Sequence, residues 1–382
     1  MLGSGIPRGR LAEIVQEARR RSGVPAAAAG LLVDGRVESC ADGGVGVETP
    51  FRVASLTKWL TASLATTCLD LDEPAFRGAS ARELLSHTAG WRPESPEPLP
   101  EVAQGLWSYS NAGYRAVGAG CAAACGMRYA DVLRGRLLEP LGMRASGFER
   151  PADAAFGHVQ EGETGHRRVE DDAYPEERYP GGGLWSTVPD MLRFAAHQLC
   201  GPGPLSAAQR EQTVAPQAEA LGAAYCLGVW RRRLAGGREA LEHSGSIAGF
   251  QSLLLLVPAE RAALVVLTNS WRGNGLIQRV VRALGLVAEP SGRGDEAAAE
   301  PGRYELDGDE AVVERHGDGL RVSESGVDPV TGDRIRLSPY PVDALGGGVY
   351  GFAGGVLMAH RLDFPRPGVA RVGWLALPRA GA

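Results

Sequence analysis

The chain has 382 residues, of which 44% are hydrophobic and 22% charged, with a formal net charge of -5. That length suits one large domain with a smaller one beside it, and the balance is that of a folded protein rather than a long disordered or fibrous one. A mildly acidic chain lacks the basic footprint of nucleic-acid recognition, so a small molecule is the favoured partner and nucleic acid is not. No stretch of about 18 apolar residues occurs, so neither a membrane span nor a membrane partner is expected. No apolar run follows the basic start MLGSGIPRGR, so no secretory signal is expected and the expected location is cytoplasmic.

Residues 9–22 put Leu11, Ile14, Val15 and Ala18 on one helical stripe. Ala26–Leu32 and Val37–Cys40, joined through Asp34-Gly35, predict a β-hairpin. From Ser55 onward, SLTKWLTASLATTCL is apolar enough for a buried helix. A long middle section follows, rich in helix signals, glycine and proline. His243-Ser244-Gly245-Ser246 is expected to be a segment directly before a strand. Phe250–Val257 and Ala262–Asn269, split by Pro258–Arg261, predict adjacent antiparallel strands, and Asn274–Leu286 a closing helix. Strands near both ends with helices between them predict an α+β fold, an antiparallel sheet flanked by helices with an all-helical region.

Residues 1–288 are assigned to this domain, and 289–300, rich in Pro, Gly and charge, to a linker. Residues 301–382 alternate short strand-like runs with turns such as Asp307-Gly308 and Asp318-Gly319, which predicts a small all-β domain. That domain carries no catalytic signature; His316, His360 and Trp374 in it are expected to be structural. Of the six cysteines, Cys121 and Cys125 stand one helical turn apart, but no His or second Cys pair lies near them in sequence. The cysteines are expected to be buried free thiols, with no metal and no cofactor.

The chain holds 40 basic residues, 39 arginines and a single lysine, Lys58. Genomic drift toward arginine accounts for the 39 and not for the one lysine kept. With 21 serines in 382 residues, chance places a serine three positions before a given lysine about once in eighteen, yet Ser55 stands there. On a helix, i and i+3 share a face. A serine hydroxyl is a weak nucleophile and needs a base, and a lysine serves if burial lowers its pKa. Arginine cannot, because its guanidinium stays protonated. An exposed helical lysine is the competing explanation, and the apolar neighbours Leu56, Trp59 and Leu60 fit it poorly.

Two further segments carry chemistry. Tyr109-Ser110-Asn111 offers a phenol for proton transfer and an amide to hold either the lysine or a substrate; its plainer explanation is a helix start capped by Ser110 or Asn111. His243–Ser246 can lend a backbone N–H to an oxyanion hole, with Gly245 allowing close approach; its plainer explanation is an ordinary turn.

In this order the three segments resemble the serine β-lactamase and penicillin-binding-protein superfamily, nearest its class C-like branch of esterases, D-aminopeptidases and transacylases. Leu84-Leu-Ser-His-Thr-Ala-Gly-Trp91 and Gly181-Gly-Gly-Leu-Trp-Ser-Thr-Val-Pro-Asp-Met191 resemble further segments of that branch, and the likeness covers residues 10–287. The resemblance implies Ser55 as nucleophile, Lys58 as general base, Tyr109 as proton relay and His243 as polar support or second proton carrier. It implies an oxyanion hole from the backbone N–H groups of Ser55 and Ser246. Asn111, Ser244, Gly245 and Trp185 would face substrate, with Gly181–Gly183 shaping the fold nearby. The substrate would be a small ester or amide, with an amine as a second, accepting partner in a transacylase. A non-catalytic binding protein on the same fold is the remaining alternative, which has no need of Ser55, Lys58 and Tyr109 together. Where relatives carry Lys-Thr-Gly, this chain has His243-Ser244-Gly245, so strong action on β-lactams is not expected.

Overall fold

The structure, a computed structural model of the chain, describes residues 6–161, 165–170, 173–199, 201–287, 299–327, 332, 334–336, 339–346, 348–351 and 361–381. The fold is α+β, with a second, all-β unit at the C-terminal end.

The first unit is built on an eight-stranded sheet. In chain order its strands are β1 (Ala27–Val33), β2 (Arg36–Asp42), β3 (Ala218–Ala220), β4 (Ala223–Tyr225), β5 (Trp230–Arg233), β6 (Glu239–Ile247), β7 (Phe250–Val257) and β8 (Ala262–Thr268). Their spatial order is β2-β1-β8-β7-β6-β5-β4-β3, antiparallel throughout. The β1–β2 turn is the predicted one, with Asp34 and Gly35 both at positive φ (48° and 78°), as a two-residue hairpin requires.

Alternation along the strands decides which helices cover which face. Leu253, Leu255 and Val257 of β7 pack with Leu11, Val15 and Ala18 of α1 (Leu11–Ser22) and with Ile277, Val280 and Val281 of the closing helix (Gly273–Ala283). Leu254 and Leu256 point the other way, against Trp59, Leu60 and Leu64 of α2 (Thr57–Cys68) and the helix Val188–Leu199. With both faces covered, the central strands read as unbroken apolar runs. Trp59 and its neighbours therefore lie in the largest core cluster, which fixes α2 and the residues just before it.

Two expectations change. His243–Ser246 is not a segment before a strand; it lies inside β6, paired with β7 in the register His243↔Leu254 to Ser246↔Gln251. The turn comes later, at Ala248 and Gly249, both at positive φ. The middle section also contains β3, β4 and β5, whose short Ala- and Arg-rich sequences give no period-2 pattern.

The C-terminal unit is a nine-stranded sheet running from Gly302–Leu306 to Leu375–Pro378. A bridge between Tyr304 and Arg379 brings its first and last strands together, so it approaches a closed barrel. The linker expected at 289–300 lies outside the described residues except for 299 and 300, as does His360. The barrel core includes Leu99 and Ala103, which belong to the first unit in sequence.

The cysteines are not uniformly buried. Cys121 and Cys226 are, whereas Cys40, Cys68 and Cys125 are partly exposed, and Cys125 Sγ lies 3.7 Å from Cys68 Sγ. Cys68 ends α2 and Cys125 ends α3 (Asn111–Cys125), so helix packing, invisible in local spacing, brings them together. Among the described residues no group of three or more His, Cys, Asp or Glu side chains is arranged to hold a metal ion, and no helix is long and apolar enough to cross a membrane.

Candidate active site

Ser55 sits in a single 3-10 turn, Ala54–Leu56, that leads into α2. Ala54 holds a left-handed φ of 50°, unfavourable for a residue with a Cβ and of the kind found where a side chain must be aimed. Thr57 secures the turn: its hydroxyl donates to Ala54 O at 2.7 Å and accepts from Leu184 N–H at 3.4 Å.

Lys58, one turn further on, is completely buried. Its ammonium donates to Ser55 Oγ at 3.3 Å, to Asn111 Oδ1 at 2.7 Å and to the carbonyl of Gly181. It also lies 4.7 Å from the centre of the Tyr109 ring and 5.2 Å from that of Tyr114. Burial pushes its pKa from 10.5 down to about 7; the Glu94 carboxylate pulls upward and the Arg115 guanidinium pushes down. A free amine beside a serine hydroxyl is thus available near neutral pH.

Asn111 is occupied at both ends. Its Oδ1 takes the lysine, and its Nδ2 donates to Glu94 Oε1 at 2.6 Å. Of the two partners open to it in sequence, lysine or substrate, the structure supplies the lysine. Ser110 is the N-cap of α3, its hydroxyl accepting from Gly113 N–H at 3.2 Å. Gly181 contributes a carbonyl rather than merely shaping the fold.

Tyr109 is buried, and burial raises its pKa well above 10, while the nearby Ser55 hydroxyl works against that rise. The phenol is therefore protonated at rest and has a proton to give. His87, in the segment 84–91, packs against its ring at 4.3 Å. His87 Nδ1 accepts from Ser110 N–H at 3.0 Å and its carbonyl from Ser108 N–H at 3.2 Å. It thus grips the residues on both sides of Tyr109, a role the sequence motif alone does not reveal.

Beyond Glu242, which pairs with Trp230, no strand among the described residues pairs with the outer edge of β6. His243–Ile247 instead run along the Ser55 turn, and a Cβ on Gly245 would stand 2.5 Å from Val53 O and 2.9 Å from Ala54 Cβ. Only glycine permits that approach. Ser246 is exposed, while Ser244 is buried. His243 is fully buried; Nδ1 donates to Ser244 O at 2.6 Å, which leaves Nε2 as acceptor for the Tyr225 hydroxyl at 3.4 Å. Burial, then the Lys58 charge, lower its pKa to about 3, so it is neutral and a poor proton acceptor.

Trp185 does not face substrate. It is fully buried, 4.7 Å from the Arg52 guanidinium and 5.6 Å from the Phe250 ring, on a short strand paired with Phe51–Arg52. Its place in a Gly-rich segment near the site is what suggested contact. Trp374, expected to be structural, is instead at the site: its ring lies 4.9 Å from Tyr109 and 5.4 Å from His243. No local signal marks it, because it comes from the other end of the chain.

The chain belongs to the Beta-lactamase family, which matches residues 11–289. It is accordingly an enzyme of the serine hydrolase and acyl-transferring class. Among curated proteins it is similar to "Penicillin-binding protein 4" of Amycolatopsis lactamdurans, 27% identical over 318 residues, which covers 64% of this chain and 81% of that protein. Among solved structures it is similar to SurE, at 25% identity and a TM-score of 0.71, covering 97% of this chain and 99% of the other. A D-stereospecific amidohydrolase from Streptomyces sp. shares the fold, with a TM-score of 0.63 over 71% of this chain and 98% of its own, at 20% identity.

Proposed function

We propose that the protein is a serine acyl-enzyme hydrolase acting on a small ester or amide through Ser55, Lys58 and Tyr109. The observation that carries it is Lys58, buried, with a pKa near 7 and within 3.3 Å of Ser55 Oγ. The free amine takes the Ser55 proton as Oγ bonds to the substrate carbonyl carbon. Charge then develops on the carbonyl oxygen, where the backbone N–H groups of Ser55 and Ser246 receive it. As the carbonyl re-forms, the bond to the leaving group breaks and Tyr109 supplies that group's proton, regaining one from Lys58. Water repeats the sequence in reverse order and frees Ser55. Neutral His243 keeps the Tyr109 side of the site polar without adding charge, which fits an uncharged substrate group there.

The acyl group we propose is a D-configured amino acid. One structure of SurE is described as holding D-Leu, and the amidohydrolase is described as D-stereospecific. The test is hydrolysis of p-nitrophenyl esters of D- and L-leucine by the wild type and Ser55→Ala. The expected result is a D preference, abolished by the substitution. Activity of Ser55→Ala at the wild-type level would overturn the mechanism, and an L preference would overturn the acyl assignment.

Transfer to an amine is the second reading, favoured by the partly exposed indole of Trp374 beside Tyr109 and His243. Such a surface suits an apolar acceptor better than water. Amide product on adding D-leucinamide would identify it; unchanged hydrolysis with no amide would exclude it. We place the enzyme in the cytoplasm as part of this proposal, where it would meet metabolite esters rather than cell-wall peptides.

A further inference from the structure

We propose that the C-terminal barrel positions the proton donor of the reaction, and that Trp374 is the residue through which it does so. The proposal rests on Tyr109 acting as leaving-group acid, as inferred above.

Trp374 and Gly373 form the two-residue tip of the hairpin between Val369–Val372 and Leu375–Pro378, with Val372 paired to Leu375 and Gly373 at a φ of 60°. The tip reaches out of the barrel into the first unit. Trp374 O accepts the Tyr109 N–H at 2.9 Å, and Ser108 Oγ accepts the Ala376 N–H at 3.2 Å. The segment leading to Tyr109 is anchored in the same barrel: Leu99 and Ala103 lie in its core, and Arg366 donates to Val102 O at 3.3 Å.

The hairpin is itself held from behind. Arg371 makes a bidentate pair with Asp363, at 2.7 and 2.6 Å, and Asp363 also accepts from Leu221 N–H at 3.3 Å. Arg361 donates to Leu221 O at 2.7 Å. These buried charge-assisted bonds fix the hairpin base to the turn between β3 and β4, so its tip is a rigid support and not a loose loop.

The consequence falls on the Tyr109 ring. Its hydroxyl is buried and makes no hydrogen bond of normal geometry among the described residues. The Ser55 hydroxyl is its near polar neighbour, without a hydrogen bond of normal geometry to hold it, so ring packing carries most of the constraint on its direction. The ring contacts are His87 at 4.3 Å and 39°, and Trp374 at 4.9 Å and 31°, with the Lys58 ammonium 4.7 Å from the ring centre. His87 comes from the catalytic unit and Trp374 from the barrel. Trp374 also touches the neutral His243, so one indole fixes the spacing between the acid and its polar neighbour. The barrel is in this account a part of the acid machinery, contributed from about 265 positions away in sequence, the separation of Tyr109 and Trp374.

The test uses the full chain and two D-leucine substrates, a p-nitrophenyl ester, whose leaving group departs without a proton, and an alkyl amide, whose leaving group needs one. Acylation alone is read, as pre-steady-state release of the leaving group, because deacylation uses Tyr109 for both substrates; Tyr109→Phe is the reference and is expected to lose acylation by the amide while keeping most of that by the ester. Trp374→Ala is expected to show the same bias, with about 10²-fold loss on the amide and a change of less than about threefold on the ester. Trp374→Phe, which keeps a ring against Tyr109, is expected to restore most of the amide rate. Ser108→Ala removes only the acceptor of the Ala376 N–H and is expected to show the bias in weaker form; it decides the matter if Trp374→Ala does not fold. Equal loss on both substrates, or none on either, in these variants would overturn the proposal. If Tyr109→Phe itself shows no bias, the assignment of Tyr109 fails and this proposal with it, an outcome distinct from a failure of Trp374 alone.

Discussion

The lysine sets the pH at which the enzyme works, and its burial fixes the expected value. A fall from 10.5 to about 7 corresponds to about 5 kcal/mol by which the fold favours the free amine over the ammonium. If the free amine is the base, acylation of Ser55 rises with pH and levels off above about 7. At pH 6 about one lysine in eleven is uncharged, so the rate is about tenfold below the plateau. The assay is the rate of Ser55 labelling by a fluorophosphonate between pH 5 and 9, which needs no knowledge of the natural substrate. Lys58→Arg keeps a cation but no titrating base, and is expected to fall by about 10²- to 10⁴-fold with no inflection in that range. A wild-type rate in this variant, or a wild-type profile still climbing steeply past pH 9, would refute the reasoning. The same displacement acts on stability. Between pH 7 and 10.5 the unfolded chain holds a proton on this lysine that the folded chain lacks, so this group's contribution to stability rises with pH across that window. Below about 7 both states are protonated and the full penalty of the buried charge is felt. Denaturation of Lys58→Met at pH 7 and 9 is expected to lack that slope.

Three further outcomes follow from particular contacts. Gly245→Ala puts a Cβ 2.5 Å from Val53 O, so β6 must move away from the Ser55 turn; the expected result is about 10²-fold slower acylation with the thermal midpoint lowered by a few degrees, measured by labelling rate and melting. Trp185→Ala empties a fully buried core site and is expected to cost about 3–5 kcal/mol in denaturant unfolding, whereas Trp185→Phe should leave KM unchanged because the ring meets no substrate. Diamide treatment is expected to join Cys68 and Cys125, whose Sγ atoms are 3.7 Å apart, seen as the loss of two hydrogens in the mass of the linked peptides; Cys125→Ser should abolish that link.

The parts legible in the sequence are those fixed by local chemistry. The stripe of Leu11, Val15 and Ala18, the Asp34-Gly35 turn and the apolar runs of β7 and β8 depend on neighbours a few positions away, and each stands where its pattern places it. Ser55 and Lys58 come together for the same reason, being one turn apart, and the lone lysine among 39 arginines is what draws attention to the pair. The strand holding His243–Ser246 was hidden because Ser-Gly-Ser carries turn propensity; its strand conformation comes from pairing with Ser252 and Gln251. Trp185 and Trp374 exchange their expected places, core for site, because burial is decided by packing across the whole chain. His87 is similar: its grip on Ser108 and Ser110 needs the loop and the helix start to be in contact first.

The central claim is that Ser55 carries the acyl group with Lys58 as its base. The most direct measurement is intact-mass and peptide analysis of the full chain after a fluorophosphonate, on the wild type, Ser55→Ala and Lys58→Arg. One adduct on the Ser55 peptide is predicted in the wild type, none in Ser55→Ala, and only slow, incomplete labelling in Lys58→Arg. No adduct on folded wild-type protein, or an adduct on another serine, would contradict the claim.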